Sequence, residues 1–333
     1  MNVRSSMGYA ALETEIFRWM SMGGMGFFEN WILEVHRFQR KHNPAYGDFC
    51  SGFPEPACWQ EIPAVPVSAF KTTGLRSFPP EKTIRTFETS GTTGGGPGRH
   101  HFCSLRLYLQ AATRGWVGAG LPANEVFAMI PHAGEAQQSS LSQMASWLVP
   151  KDRFFFGKRE ELPTALKRAC KPVIFGTALA FLDFFEWLGS RTVSLPEGTL
   201  AVETGGYKGT RRKLPKEDLY KLFEDRLGLP PDSVWNEYGM TELSSQFYTH
   251  GIGRPHKAPA WARGLVVNPA SGREAEDGET GILRLFDVAN LGSVCAIQTR
   301  DLAIRRGREF ELVGRDPAAL PRGCSLLADE LLS

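Results

Sequence analysis

The N-terminal part of the chain combines helical periodicity with a proline-rich segment. Within residues 10–42, apolar side chains recur every three or four positions, as at Leu12 and Ile16, and this spacing predicts amphipathic helix. The Met- and Gly-rich stretch 21–26 interrupts the pattern, so we expect two helices. Residues 44–80 are rich in proline. Because each proline disfavours helix at the residue before it, residues 62–67 within this connector are predicted to be extended or loop-like.

From residue 84 onward, short apolar segments alternate with longer segments of helical periodicity. This alternation is typical of a doubly wound α/β sheet. After Trp261 the pattern changes to short apolar segments separated by glycine and charged turns, which predicts a β-rich lobe. The predicted strands are 83–88, 126–130, 173–175, 199–203, 233–236, 264–268, 280–287, 294–299 and 309–313, and the predicted helices are 105–116, 140–148, 162–169, 178–188 and 216–227.

The composition narrows the class of protein. The chain has 333 residues, 42% of them hydrophobic and 22% charged, with a formal net charge of +2. These values are typical of a globular protein and give no basic surface for nucleic acid. The six cysteines are scattered without a CxxC pair, a spacing that favours reduced thiols over a disulfide framework or a zinc site.

The apolar segments also bear on location. Glu13 and Glu15 interrupt the first apolar stretch, so it does not resemble a signal peptide. The longest apolar run, 173–182, is too short to span a bilayer. We therefore expect a cytoplasmic protein with no membrane span and no nucleic-acid partner.

The strongest local motif is a loop of hydroxyl and glycine residues at positions 89–99, which reads TSGTTGGGPGR. It follows a predicted strand and precedes a predicted helix, where backbone amides and hydroxyls can cradle phosphates. Glycine allows the backbone to approach a polyanion closely, and hydroxyl groups donate to its oxygens. The loop lacks the Gly-Lys-Ser/Thr ending of a Walker A motif, and a flexible surface loop is the alternative interpretation. His100 and His101 are interpreted as the solvated exit of the loop.

A second motif, WNEYGMTE at positions 235–242, combines an aromatic ring, a glycine turn, a hydroxyl and a carboxylate. Tyr238 suits stacking on a base, Thr241 suits a hydrogen bond to an α-phosphate, and Glu242 suits Mg²⁺ through its oxygens. The alternative is an ordinary turn at the end of a strand.

A third motif consists of Thr299-Arg-Asp301 followed by Val313-Gly-Arg315. A carboxylate at a strand end can accept both hydroxyls of a ribose, and an arginine beyond it can contact a phosphate or ribose. Each part alone is weak, because surface Asp and Arg residues are usually solvated.

The three motifs occur in one order, and that order resembles the adenylate-forming superfamily of acyl-CoA synthetases, adenylation domains and luciferases. The resemblance covers residues 84–315. More narrowly, the chain resembles the bacterial acyl-protein synthetase (LuxE-type) family, the fatty-acid-activating subunit of bacterial luminescence systems. The segments that carry the narrower resemblance are PVSAFK at 66–71, FETSGTTG at 87–94, GGYK at 205–208 and RGCSL at 322–326.

The resemblance implies the large N-terminal domain of an adenylate-forming enzyme, in which an α/β core carries a β-rich lobe. We expect the usual small C-terminal domain to be lacking, because the sequence ends shortly after Arg315. The expected divisions are a helical and Pro-rich segment packed on the core at 1–83, a nucleotide-binding α/β core at 84–260, a β-rich lobe at 261–315 and a tail carrying Cys324 at 316–333.

The resemblance also implies ATP and Mg²⁺ as cofactors, and it assigns residues by position. Thr241 and Glu242 would serve the α-phosphate and the metal, and Asp301 the ribose. Arg315 would lie near the ribose or phosphate. The remaining nucleotide-binding candidates are Thr89, Ser90, Gly91, Thr92, Thr93 and Gly94 for the β- and γ-phosphates, Gly205, Gly206 and Tyr207 for the adenine, and Asn236, Glu237, Tyr238, Gly239 and Met240 as the rest of the nucleotide site.

His132 and Gly176 are the candidates for binding the carboxylic acid. His132 follows a predicted strand where relatives line the carboxylate site, but a structural histidine is the alternative. Gly176 begins an aromatic-rich stretch that could wall an acyl pocket, and a core helix explains most of the same residues.

The chain departs from the superfamily pattern near the loop. Gly98 and Arg99 stand where Pro is usually followed by Lys, and Arg300 replaces a glycine in the usual Thr-Gly-Asp. The missing C-terminal domain would carry the adenylation lysine, so either Lys208 or Arg99 replaces it or adenylation is slower.

Cys324 is the expected acyl acceptor, because a thiolate attacking an acyl-adenylate yields a thioester. The predicted function is ATP-dependent activation of a carboxylic, in particular a fatty, acid with transfer to Cys324 and on to a partner such as an acyl reductase. Two alternatives remain open: an acyl- or aryl-CoA ligase with CoA as acceptor, and a non-catalytic nucleotide-binding scaffold. A small hydrophobic role for Cys324 is its structural alternative.

Overall fold

The computed structural model describes residues 7–89, 96–205 and 214–315. Within them, no helix is both long enough and apolar enough to cross a bilayer. The described elements are, in chain order, α1 (Tyr9–Ser21), α2 (Phe28–His42), α3 (Pro44–Ser51), β1 (Val65–Pro66), α4 (Ala69–Thr72), β2 (Arg85–Glu88), β3 (Arg99–Phe102), α5 (Arg106–Gly118), β4 (Val126–Ala128), α6 (Ser140–Leu148), α7 (Leu162–Lys167), β5 (Val173–Thr177), α8 (Ala178–Leu188), β6 (Leu200–Thr204), α9 (Lys216–Leu227), β7 (Val234–Tyr238), β8 (Phe247–His250), β9 (Ala262–Val267), β10 (Thr280–Asp287), β11 (Ala296–Arg306) and β12 (Glu309–Arg315).

The chain divides into two compact units. The first comprises the described residues within 1–115, 241–245 and 255–333, and the second comprises those within 116–240 and 246–254. The chain therefore passes from the second unit to the first inside the WNEYGMTE motif.

The second unit is built on a five-stranded sheet in the order β4-β5-β6-β7-β8. The first four strands are parallel and β8 runs antiparallel at the edge. The α/β class predicted from the sequence is confirmed by this sheet and its connecting helices. The β5, β6 and β7 strands were each predicted within a few residues, whereas β8 was missed.

Local capping explains where the helices of the second unit begin and end. The Thr177 hydroxyl accepts a hydrogen bond of 3.0 Å from the Ala180 amide at the start of α8, and Gly189 follows its end with a φ of 60°. Ser139 caps α6 in the same way. Such side chains satisfy amides that have no partner inside the helix. The predictions for α6, α8 and α9 are confirmed to the residue.

The aromatic-rich stretch of α8 is largely buried. Phe181 and Phe185 pack against Phe223 of α9 with ring centroids 4.6 Å and 5.0 Å away. This cluster forms the hydrophobic core between the helices and the sheet of the second unit, as expected for apolar side chains at helical spacing.

The first unit contains a five-stranded sheet in which β11 is central. Strand β10 pairs with β11 and β9 in antiparallel fashion, β12 pairs antiparallel with β11, and the short β1 runs parallel to β11. The strands β9 to β12 correspond to the predicted β-rich segment. Strand β11 extends to Arg306, well beyond the predicted 294–299.

The proline-rich connector contains a helix that the sequence analysis did not predict. Helix α3 begins with Pro44 at its first turn, and the Asn43 side chain accepts a hydrogen bond of 3.3 Å from the Tyr46 amide. Proline is tolerated there because the first amides of a helix have no internal partner. The prediction that residues 62–67 are extended or loop-like is confirmed, since they contain no helix and include β1.

Candidate active site

Four candidate residues lie at or just beyond the carboxyl ends of the parallel strands in the second unit. Gly176 is next to last in β5, Gly205 directly follows β6, Tyr238 ends β7, and His132 follows β4 after a few residues. Parallel strands end at the same edge of a sheet, and that edge is where open α/β sheets bind ligands.

The ring of His132 is held in one tautomer. Its Nδ1 accepts a hydrogen bond of 3.0 Å from the Gly134 amide, so the proton is on Nε2. The ring also packs edge-on against Phe154 with centroids 5.0 Å apart. His132 thus has a structural partner, and its Nε2 is a hydrogen-bond donor.

Gly176 is glycine because its surroundings are filled. A Cβ at this position would lie 3.0 Å from Met129 Cε and 3.2 Å from Phe181 Cε2. Both neighbours are buried core side chains. A side chain at position 176 would therefore meet the core of the second unit.

Two buried carboxyl groups lie on neighbouring strands, Glu203 on β6 and Glu237 on β7. Glu203 accepts a hydrogen bond of 2.6 Å from the Asn236 amide and one of 3.4 Å from the Tyr220 hydroxyl. Burial raises the pKa of Glu203 to about 7. Glu237 accepts a hydrogen bond from the Thr204 hydroxyl. Asn236 and Glu237 therefore both have partners on the neighbouring strand.

In the first unit, the hydroxyl and glycine loop connects two antiparallel strands, β2 and β3. The loop precedes α5, as predicted, but the strand β3, which was not predicted, comes between them. Thr89 closes the base of the hairpin: its amide donates to the Gly98 carbonyl oxygen at 2.9 Å, and its hydroxyl accepts from the Gly98 amide at 2.8 Å.

His100 is buried, so its interpretation as a solvated exit was wrong. Only 1% of the residue is exposed, because it shares the buried face of β3 with Phe102, whereas Arg99 and His101 lie on the other face. Its Nδ1 donates a hydrogen bond of 2.8 Å to the Thr241 carbonyl oxygen. Burial lowers the pKa of His100 to about 4, so the ring is neutral at neutral pH. His101 is half-buried and bonds the Thr86 hydroxyl at 2.9 Å.

Two residues that the sequence analysis missed bind the segment that carries Thr241 and Glu242. Asn290 donates to the Glu242 carbonyl oxygen at 3.0 Å, and Asp287 accepts from the amides of Ser244 and Ser245 at 3.0 Å and 2.9 Å. Asp287 ends β10 and Asn290 follows it by three residues, and at the end of an apolar strand Asp and Asn usually indicate only a turn.

Asp301 is placed by Thr299 within the third motif. The Thr299 hydroxyl donates to the Leu283 carbonyl oxygen at 2.6 Å and accepts from the Asp301 amide at 3.1 Å. Asp301 lies opposite Arg315 in the β11–β12 ladder, which brings together the two parts of this motif. Asp301 is buried, with 8% of its surface exposed.

Several candidates lie outside the residues that the structure describes. For Arg315 the backbone is described but the side chain is not. Arg99, one of the two basic residues considered for the role of the adenylation lysine, is exposed and pairs with Glu88 at 3.2 Å. The candidates beyond the described residues are Ser90, Gly91, Thr92, Thr93, Gly94, Gly206, Tyr207, Lys208 and Cys324.

The fold is that of adenylate-forming ligases. A 2-hydroxyisobutyryl-CoA ligase in complex with 2-HIB-AMP superposes with a TM-score of 0.60 over 94% of this chain and 69% of its own, at 15% identity. ATP-bound MatB from Rhodopseudomonas palustris superposes with a TM-score of 0.50 over 73% of this chain and 49% of its own, at 16% identity. The chain thus spans about half the length of MatB. No protein-family model matches it.

Among curated proteins, the chain resembles the long-chain-fatty-acid–luciferin-component ligase of Aliivibrio fischeri. The two sequences are 21% identical over 329 residues, which cover 89% of this chain and 86% of that protein. The resemblance to the acyl-protein synthetase family, stated from the motifs, is confirmed by this match.

Proposed function

We propose that this chain is an ATP-dependent, AMP-forming ligase that activates a carboxylic acid and transfers the acyl group to a thiol. The observation that carries the proposal is the hydrogen bond from His100 Nδ1 to the Thr241 carbonyl oxygen. It joins β3, the strand that leaves the hydroxyl and glycine loop, to the Thr-Glu pair 141 residues further along. Within the first unit, this bond links the strand that follows the first motif to the Thr-Glu end of the second motif.

In the first half-reaction, the carboxylate attacks the α-phosphorus of ATP. The bond from that phosphorus to the bridging oxygen breaks, so that pyrophosphate leaves and a mixed acyl–phosphate anhydride forms. We assign the β- and γ-phosphates to residues 89–94 and the α-phosphate to Thr241. Donors held in place before the reaction lower its barrier by stabilising charge as it develops.

The chain offers Glu242 as the residue to hold Mg²⁺. Mg²⁺ is usually bound by one or two carboxylates together with substrate phosphates. Among the described residues, no group of three or more His, Cys, Asp or Glu could hold a metal by itself, which fits an ion that arrives with ATP. When bound, it would neutralise charge on the phosphates.

The remaining assignments follow the family pattern. Tyr238 would stack on the adenine, and Gly205 with Gly206 and Tyr207 would line it. Asp301 would accept the ribose hydroxyls, with Arg315 nearby. Nε2 of His132 would donate to the substrate carboxylate, for which the tautomer set by Gly134 is suitable.

In the second half-reaction, the Cys324 thiolate attacks the acyl carbonyl carbon. A thioester forms and AMP leaves with the electron pair of the broken bond. The name of the A. fischeri relative supports a long-chain fatty acid as the substrate and a protein as the final acceptor, such as an acyl reductase.

The test is acid-dependent exchange of labelled pyrophosphate into ATP, scanned over acids of increasing chain length. We expect exchange in the parent and in Cys324→Ser, because adenylation needs no thiol. Labelled acid should accumulate on the parent as a hydroxylamine-labile acyl group and should not accumulate on Cys324→Ser, because serine without an adjacent base is a far weaker nucleophile.

Cys170→Ser is the matched control, because Cys170 is the exposed thiol among the described cysteines. It should be acylated at the parental rate. Loss of acylation in Cys170→Ser but not in Cys324→Ser would move the acceptor to Cys170. Acyl-CoA formation without any protein acylation would make the chain a CoA ligase, and no exchange with any acid would reject the proposed function.

A further inference from the structure

We propose that His100, Asp287 and Asn290, together called the clamp, are positioning residues for the Thr241–Glu242 pair. Their side chains hold the backbone of residues 241–245 and so determine where the Thr241 hydroxyl and the Glu242 carboxylate lie. This inference rests on the proposed function and concerns residues to which no motif assigned a role.

The segment 241–245 needs side chains to hold it, because it lies in no helix or strand. A regular element would fix its backbone through its own hydrogen-bond ladder. Here the fixed points are two carbonyl oxygens and two amides, at Thr241, Glu242, Ser244 and Ser245. His100 and Asn290 donate to the two carbonyl oxygens, and Asp287 accepts from the two amides.

Asn290 has a single orientation that satisfies its contacts. Its amide donates to the carbonyl oxygens of Glu242 at 3.0 Å and Val294 at 2.8 Å, and its Oδ1 accepts from the Ser244 hydroxyl at 3.0 Å. A flipped amide would oppose oxygen to oxygen at both carbonyls. Asn290 is 1% exposed, so water does not offer it substitute partners.

Asp287 holds the other end of the segment. One of its oxygens accepts from the Ser244 and Ser245 amides, and the other accepts from the Ser245 hydroxyl at 2.7 Å and the Ala289 amide at 2.9 Å. The Ser245 hydroxyl in turn accepts from the Trp261 indole at 3.1 Å. Hydrogen bonds to a buried carboxylate are among the stronger ones in proteins.

The clamp is itself supported by α2. Gln39 is fully buried and donates to the carbonyl oxygen of Asn290 at 2.9 Å and to that of Leu291 at 3.2 Å. It also accepts from the Cys295 amide at 2.8 Å. The β10–β11 connection is therefore anchored on one side to α2 and on the other to residues 241–245.

The experiment measures the Mg²⁺ concentration that gives half-maximal acid-dependent pyrophosphate exchange. Asn290→Ala and His100→Leu should each raise it by about tenfold or more, since a displacement of about 1 Å in a site can cost 100-fold in rate. His100→Asn should recover part of the loss, because the Asn amide can donate from near the position of Nδ1. In a Glu242→Gln background the same substitutions should add little, because the group they position is already changed.

Ser77→Ala is the matched control. The Ser77 hydroxyl is buried and donates to the Ser293 carbonyl oxygen at 3.1 Å, so it binds the same β10–β11 connection without touching residues 241–245. It should lower the unfolding temperature while leaving the Mg²⁺ requirement unchanged. If it raises the Mg²⁺ requirement as much as Asn290→Ala does, the clamp is merely structural and the inference is wrong.

The clamp can also be tested if a variant does not fold. If Asn290→Ala does not fold, Ser244→Ala removes the hydroxyl contact to Asn290 Oδ1 and should give a smaller rise in the Mg²⁺ requirement. No rise in Ser244→Ala or in folded His100→Leu rejects the clamp while leaving the proposed function intact. Absence of exchange in the parent rejects the proposed function, and this inference with it.

Discussion

At the scale of single residues, Gly239 illustrates how a position can require glycine without a special backbone conformation. Its φ is not positive, so the glycine turn assumed from the sequence is not what requires it. A Cβ would instead collide with Oε1 of Glu237, whose carboxylate binds the Thr204 hydroxyl. The glycine in Tyr-Gly-Met-Thr-Glu thus makes room for a buried carboxylate.

Gly239→Ala is expected to lower the free energy of unfolding by about 1–3 kcal/mol, the usual cost of forcing an extra carbon into a packed site. The measurement is the denaturant midpoint at constant m-value. Gly118→Ala is the control: a Cβ there meets nothing within 4 Å, and alanine in place of glycine stabilises a helix by up to about 1 kcal/mol. Equal midpoints for the parent and Gly239→Ala would contradict the steric explanation.

At the scale of elements, the carboxyl group of Glu203 on β6 is buried between its neighbours on β7 and α9. Its hydrogen-bond partners, Asn236 and Tyr220, come from β7 and α9. Burial nonetheless outweighs them and raises its pKa from 4.5 to about 7. The sheet therefore favours the protonated form of this residue.

Glu203→Gln tests this pKa shift through the dependence of stability on pH. Because the folded state binds the proton more tightly than the unfolded state, the contribution of Glu203 to stability is fully present below pH 4.5 and is lost as the pH rises to about 7. Between pH 5 and pH 8 the parent should lose up to roughly 3 kcal/mol relative to Glu203→Gln. Urea unfolding at several pH values measures the difference.

The control for this experiment is Glu217→Gln, an exposed carboxylate at the start of α9. Its stability should follow that of the parent at each pH. A parallel pH profile for the parent and Glu203→Gln would mean that Glu203 is ionised in the folded protein at neutral pH.

At the scale of the whole molecule, binding of ATP and of acid should appear as linked stability. A ligand that binds only the folded state raises the unfolding temperature in proportion to the logarithm of its concentration over its Kd. We expect Mg²⁺ with ATP to stabilise the parent and Asp301→Asn to lose most of that increase. The acid should also raise the unfolding temperature in the presence of an ATP analogue. Asp301→Asn should reduce that increase less, because Asp301 is assigned to the ribose.

Steady-state exchange provides the second measurement for Asp301→Asn. The KM for ATP should rise several-fold more than the KM for the acid. Glu276→Gln, which removes an exposed carboxylate of the first unit, should change neither. A change in the KM for the acid alone would mean that Asp301 does not bind the ribose of ATP.

The sequence by itself determined the class of fold, most of its elements and the order of its motifs. Helices such as α6, α8 and α9 were predictable because their signals are local. Each has a 3.6-residue apolar period, α6 and α8 have an N-cap hydroxyl, and a glycine follows α8 and α9. Motif order is likewise readable along one chain, and it indicated the same family as the match to the A. fischeri ligase.

What only the tertiary structure decided is how distant residues meet. The sequence motif did not predict β3. This strand pairs with β2, but the two are separated in the sequence by a loop of glycine and hydroxyl residues that has no strand pattern. His100 is separated from Thr241 by 141 positions, and Asn290 from Glu242 by 48. No local periodicity records such contacts, since they depend on which side chains the packed sheets bring together. The same burial that shields these groups from water makes each of them bind a specific partner, because an unpaired polar group in the interior is costly.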